Sequence, residues 1–138
     1  MAYNLFVYGS LINEEVVKAL TGKKFESQKA QIEGFYVSSL ADRASPGLVA
    51  SDEETAEGLV LLDIDDESYK TIFDWESTDY KSISVKAQSE LGQIIDCFTF
   101  LWNGEALNTP WSNAIFRESH LNWYLEEDIP NFFKSYNT

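Results

Sequence analysis

Two places in the chain put together residue types that chemistry can use. Near the start, the apolar run Leu5-Phe6-Val7-Tyr8 stops abruptly at Gly9-Ser10-Leu11. A strand that ends this way presents bare backbone N–H groups at its tip, where a small anion, or an oxygen gaining negative charge, can dock. The second place is Glu76. Tyr69, Ile72 and Phe73 form an apolar stripe at i, i+3 and i+4, and the i+7 member of that stripe is an acid. A carboxyl in apolar surroundings resists ionisation, so its pKa climbs toward neutrality, as a general base working near pH 7 requires. The same spacing also fits a helix that ends before Glu76, or a side chain that reaches solvent or a cation.

The elements that must position these residues follow from local pattern. Asn4 to Tyr8 reads as a buried strand. Asn13 to Leu20 reads as a short helix, with Asn13 as N-cap, Glu14 and Glu15 at the positive end of the dipole and Gly22 as the stop. Ala30 to Leu40 reads as a strand bent at Gly34, a bulge glycine. Asp42 to Ser45 is a polar loop closed by Pro46-Gly47, followed by a short strand over Leu48-Val49-Ala50, a second polar stretch from Ser51 to Thr55 and a strand from Glu57 to Ile64. Asp65 caps a helix that runs to Trp75 or Glu76, and two alternating strands follow, Lys81 to Gln88 and Ile94 to Trp102. After a loop from Asn103 to Pro110, Ser112 caps a helix carrying Phe116, His120, Trp123, Tyr124 and Glu127 at helical spacing, which Pro130 ends. About six strands with few, short helices between them predict an α+β fold, a small curled or closed β-barrel with flanking helices.

Composition narrows the function. At 138 residues, with 44% hydrophobic and 14% aromatic, the chain is expected to fold as one domain over residues 1–138, with its core in 4–102 and a helical segment over 111–136. A formal charge of -13 opposes binding to nucleic acid or anionic lipid, both of which need clustered Lys or Arg. Cys97 is the single cysteine, so no internal disulfide forms, and its strand setting points to core packing. Neither a membrane-length apolar run nor a signal segment is evident, which makes the cytoplasm the default compartment and a membrane partner unexpected. A lone histidine and a buried cysteine argue against a Cys-His nucleophile or a metal cluster. Oligomeric state is not legible.

Leu5-Phe6-Val7-Tyr8-Gly9-Ser10-Leu11 resembles the opening strand and substrate loop of the gamma-glutamylcyclotransferase-like family, and Phe73-Asp74-Trp75-Glu76-Ser77-Thr78-Asp79-Tyr80 resembles its second signature. The likeness continues through Gly34-Phe35, Pro46-Gly47-Leu48-Val49 and Glu57-Gly58-Leu59-Val60, and is nearest to the small avirulence-induced subgroup. One departure stands out: related chains often carry an arginine two positions after the tyrosine, where this chain has Tyr80-Lys81-Ser82.

The resemblance implies a cyclisation without cofactor or metal. The α-amine of a small gamma-glutamyl compound attacks the γ-amide carbonyl and releases 5-oxoproline and an amine or amino acid. Glu76 would be the general acid/base, and Tyr8, Gly9, Ser10, Leu11 and Tyr80 would bind substrate. Each residue has a plainer role beside this one: strand packing for Tyr8, an ordinary turn for Gly9-Ser10, pocket wall for Tyr80 and a packed helix residue for His120. The alternatives for the whole chain are a non-catalytic small-molecule binding module, or a protein-interaction module that uses Trp111, Trp123, Phe132 and Phe133. Substrate choice is expected to lie in the loops Asp42 to Pro46 and Asn103 to Pro110.

Overall fold

Alternation along the strands puts one set of apolar residues inside a ring of sheet and another outside it. In a computed structural model that describes residues 2–76 and 79–136, five strands close into a barrel in the order β1-β3-β2-β4-β5. These are β1 (Ala2–Val7), β2 (Ser27–Ser38), β3 (Gly47–Asp65), β4 (Tyr80–Ser89) and β5 (Ile94–Trp102). Neighbours are antiparallel except at the seam, where β1 and β5 run parallel through Leu5 and Phe98. Phe6, Ile32, Leu48, Val60, Ala87 and Cys97 belong to a core made of strand residues and Tyr8, which directly follows β1. Leu5, Val7, Leu61 and Ile64 join a second core shared with the helices.

The expected count of about six strands becomes five because two of them are one. Leu48–Ala50 and Glu57–Ile64 lie on the single strand β3, which turns with β2. The polar stretch between them is where pairing slips: Glu33 faces Thr55 but Phe35 faces Ala50, so residues 51–54 oppose Gly34 alone. Gly34 has a φ of +88°, a conformation side chains disfavour, and it fills the expected bulge.

Helix α1 (Glu14–Thr21) follows a 3₁₀ turn over Ser10–Ile12 and closes at Gly22. Asn13 occupies its N-cap but does not spend its side chain there; the amide bonds to the Ser10 carbonyl (3.0 Å) and to Asn113 (3.0 Å), and accepts from Arg117 (2.9 Å). The C-terminal segment is thereby fastened to the turn that follows β1. Helix α2 (Asp66–Glu76) begins at Asp65, whose carboxylate accepts from the Ser68 N–H, and is anchored by Ile72, which is fully buried.

The C-terminal segment departs from the single helix expected. Ser112 caps α3 (Asn113–Ser119) by accepting from the Ile115 N–H, the chain breaks at His120, and α4 (Leu121–Trp123) leads into a π-helical turn over Tyr124–Asp128. Pro130 does not end the helix. It sits at the second position of α5 (Ile129–Tyr136), where the widened π turn before it accommodates both the ring and the missing N–H. Among the described residues no helix is long and apolar enough to cross a membrane.

Candidate active site

Gly9 stands where β1 leaves the barrel, and its φ of −126° is one that any residue adopts. Glycine is needed there for space: a Cβ would lie 2.6 Å from the Pro46 Cδ and 2.8 Å from its Cγ. The backbone then tightens into the 3₁₀ turn, held by the Ile12 N–H on the Gly9 carbonyl (2.9 Å) and the Asn13 N–H on the Ser10 carbonyl (3.1 Å). Ser10 and Leu11 are buried, and among the described residues the N–H groups of Gly9, Ser10 and Leu11 donate to no acceptor. Tyr8 is buried with its hydroxyl donating to the Phe100 carbonyl (2.6 Å), and Tyr80 donates to the Pro46 carbonyl (2.8 Å). Each phenol therefore holds the wall in place and has only acceptor capacity left for anything else.

The structure brings all six residues singled out in the sequence to one small cavity. Tyr8, Gly9, Ser10, Leu11, Tyr80 and Glu76 line it together with Ser45, Pro46 and Phe100. Glu76 is the last residue of α2, so the helix does reach it, and Ile72 one turn earlier holds it against the barrel mouth. Ser77 and Thr78 of the second signature lie outside the described residues. Burial pushes the Glu76 carboxyl up to about 8; the nearby Arg43 charge opposes that rise, while Asp128 and Asp79 add to it. Burial, joined by the negative charge of Glu76, also raises the Tyr80 phenol.

A second, wider chamber opens outward from the first and shares Ser45, Glu76 and Tyr80 with it. Its other walls are Asp42, Arg43, Trp75, Asp79, His120, Trp123, Tyr124 and Asp128. None of these was singled out from the sequence as a catalytic or substrate-binding residue; the loop Asp42 to Pro46 was expected to govern substrate choice, and Trp123 was named only as part of an interaction surface. That loop is fastened from three sides. The Trp111 indole donates to the Ala44 carbonyl (2.7 Å), Ser45 and Tyr124 share a hydroxyl bond (2.9 Å), and Arg43 donates to the Asp79 carboxylate (2.6 Å). On the opposite side the Trp75 indole donates to Asp128 (2.8 Å). Such partners stand 36 to 79 residues apart in sequence, beyond the reach of any local pattern.

Several expectations fall elsewhere. The loop Asn103 to Pro110 lines neither chamber; it packs beside the end of β2, with Asn108 donating to the Ser38 hydroxyl (2.9 Å). His120 sits at the outer rim, exposed on one side, with its ring against Phe116 of the stripe (6.3 Å between centroids). Ser82, where an arginine was looked for, pairs with Phe100 in the sheet and lines neither chamber. Cys97 is buried in the barrel core, and burial pushes its thiol up to about 11, which leaves it unreactive at neutral pH. The C-terminal aromatics divide: Phe132 and Phe133 pack on the outer core, whereas Trp123 is 55% exposed. Among the described residues no group of three or more His, Cys, Asp or Glu is placed to hold a metal ion.

With this geometry in view, the comparisons with known proteins agree with one another. A family model described as gamma-glutamyl cyclotransferase, AIG2-like, matches residues 5–123. AIG2-like protein D of Arabidopsis thaliana is 22% identical over 129 residues, covering 90% of this chain and 85% of that protein. AIG2-like protein C of the same plant is 29% identical over 105 residues, covering 75% of this chain and 61% of its own length. A solved structure titled gamma-glutamyl cyclotransferase superposes with a TM-score of 0.66 at 16% identity, covering 94% of this chain and 87% of its own. At that identity the shared property is the fold.

Proposed function

The chain belongs to the gamma-glutamyl cyclotransferase, AIG2-like family, and on that premise we propose that it cyclises a small gamma-glutamyl amine or amino acid to 5-oxoproline, with Glu76 as general acid/base. The observation that carries this reading is that Glu76 lines the same small cavity as the unengaged Gly9, Ser10 and Leu11 N–H groups. A base and an oxyanion-stabilising edge are the two things the reaction needs.

In the reaction the substrate's α-ammonium gives a proton to the Glu76 carboxylate, and the freed amine attacks the γ-carbonyl carbon. A C–N bond forms, and the carbonyl oxygen takes the negative charge toward the N–H groups of the turn. As the intermediate collapses, Glu76 returns the proton to the original amide nitrogen, the bond to that nitrogen breaks, and the second proton shed by the cationic ring nitrogen is taken up by the released amine. The products are 5-oxoproline and the free amine. A raised carboxyl pKa matches this double duty, since proton uptake and return are both easiest near the working pH. Tyr8, Leu11 and Tyr80 serve as walls that hold the glutamyl chain curled for ring closure, which supplies rate through orientation. The leaving amine would extend into the outer chamber.

The test is to incubate the protein with gamma-glutamyl amino acids, gamma-glutamyl amines and glutathione, and to quantify 5-oxoproline by mass spectrometry beside Glu76→Gln. Product from the wild type that falls at least about 100-fold in the variant is expected. Unchanged release in Glu76→Gln would overturn the assigned base. Binding of 5-oxoproline with no turnover of any substrate would make the chain a ligand-binding module instead.

A further inference from the structure

Among the described residues that line the two chambers, Arg43 is the only lysine or arginine. It comes from the loop before Pro46, far from Glu76 in sequence, and it is held rather than free. Its guanidinium donates to the Asp79 carboxylate at 2.6 Å and lies over the Trp102 ring, 4.9 Å from the centroid. The loop that carries it is fixed immediately after Arg43 by the bonds at Ala44, Ser45 and Pro46. A side chain meant to capture ligands from solvent would need room to move; one meant to impose a steady field needs this kind of restraint.

The remaining charged and titratable groups that face Glu76 make such a field necessary. Asp79 precedes β4, Asp128 ends the π turn and Asp42 belongs to the loop, and all three are acids lining the outer chamber. Tyr8 on β1, Tyr80 on β4 and Tyr124 on the C-terminal segment face it as phenols, and His120 stands at the rim. Burial, with Asp128 and Asp79 among these acids, favours the protonated carboxyl, in which form Glu76 cannot accept a proton from substrate.

We propose that Arg43 is a positioning residue for Glu76, whose guanidinium, pinned between Asp79 and Trp102, supplies the one fixed positive charge that offsets the acids around the catalytic carboxyl. The proposal rests on the cyclotransferase reading for its consequence in turnover, but the electrostatic claim can be measured without turnover. Arg43 acts through Glu76 and takes no proton itself.

The experiment is a ¹³C NMR titration of the Glu76 side-chain carboxyl in the intact protein, beside Arg43→Gln, Arg43→Lys and Asp79→Asn, with the pH profile of kcat/KM measured on the same samples. Arg43→Gln is expected to raise the Glu76 titration midpoint by roughly one pH unit, as loss of one nearby charge does. Arg43→Lys should restore it, and Asp79→Asn should move it the opposite way, a reversal that simple loosening of the loop does not produce. The acid limb of kcat/KM should follow these shifts, with kcat at neutral pH falling more than KM rises. An unmoved Glu76 midpoint in a folded Arg43→Gln protein overturns the proposal, as does a pure KM effect, which would mark Arg43 as a substrate contact. If wild type yields no 5-oxoproline while the midpoints shift as expected, the cyclotransferase reading fails and the assignment of Arg43 stands.

Discussion

The two chambers that meet at Glu76 are built by different means. The inner one is made of the ends of elements: the tip of β1, the 3₁₀ turn after it and the last residue of α2. Close contact and backbone bonding fix its shape, as Gly9 against Pro46 and the two phenols on carbonyl oxygens illustrate. Side chains from four distant stretches make the outer one, joined by single hydrogen bonds and one ion pair. A wall of backbone cannot change without moving the fold, whereas a wall of side chains changes residue by residue. On the proposed reading, ring closure would fall to the first and discrimination among leaving amines to the second.

Loss of Glu76, where the two chambers meet, should have the largest effect. Glu76→Gln is expected to reduce turnover by about 10² to 10⁴, and also to stabilise the fold in alkali. Burial holds this carboxyl near 8 in the folded chain against 4.5 as the ordinary value, so across that window the native state keeps a proton that the unfolded chain has released. Glu76 therefore costs stability progressively as pH rises from about 4.5 to 8. Denaturant midpoints of wild type and variant should coincide near pH 4 and separate by pH 9, with the variant higher. Equal midpoints at both would mean the carboxyl is not enclosed.

Next comes Gly9→Ala, which adds a methyl where 2.6 Å separates it from Pro46. Overpacking of this kind costs about 1–3 kcal/mol, and because it displaces the turn it should lower kcat as well as the unfolding midpoint. Normal kcat in this variant would break the claim that the inner wall is intolerant. The outer chamber should respond differently. Tyr124→Phe removes the hydroxyl bond to Ser45 and should cost about 1 kcal/mol, raising KM several-fold with kcat nearly kept. Trp123→Ala, at a largely exposed rim residue, should leave stability within about 0.5 kcal/mol and alter KM only for substrates with a sizeable leaving amine. A KM unchanged across small and large leaving groups would remove the outer chamber from specificity.

The same division decides what could be read in the chain beforehand. Residues of the inner chamber announce themselves locally: an apolar strand cut short at Gly9-Ser10, and an acid on an apolar helical stripe at Glu76. The bend at Gly34 and the cap at Asp65 were legible for the same reason, since turns and helix ends are set by neighbours in sequence. Arg43, Tyr124 and Asp128 carry no such mark, because their positions come from closure of a barrel and docking of a C-terminal segment. Misreadings have the same origin. The polar stretch from Ser51 to Thr55 resembles a loop, yet pairing with β2 on both sides of it keeps it within one strand, and Pro130 resembles a helix end until the π turn before it is taken into account. Asn13 is a half-success: the cap position is right, but its amide is claimed by a helix 100 residues away.

The parallel seam between β1 and β5 has a consequence for the life of the chain on the ribosome. Everything β1 pairs with lies far behind it: β3 begins at residue 47 and β5 at residue 94. At synthesis rates of roughly 5–20 residues per second, the first strand must wait about 5–20 s for its second partner to emerge. Later still comes Asn113, which Asn13 needs. The turn that would stabilise the oxyanion is thus made well before the segments that hold it in place. An incomplete chain could carry every residue of the inner chamber and still present no site.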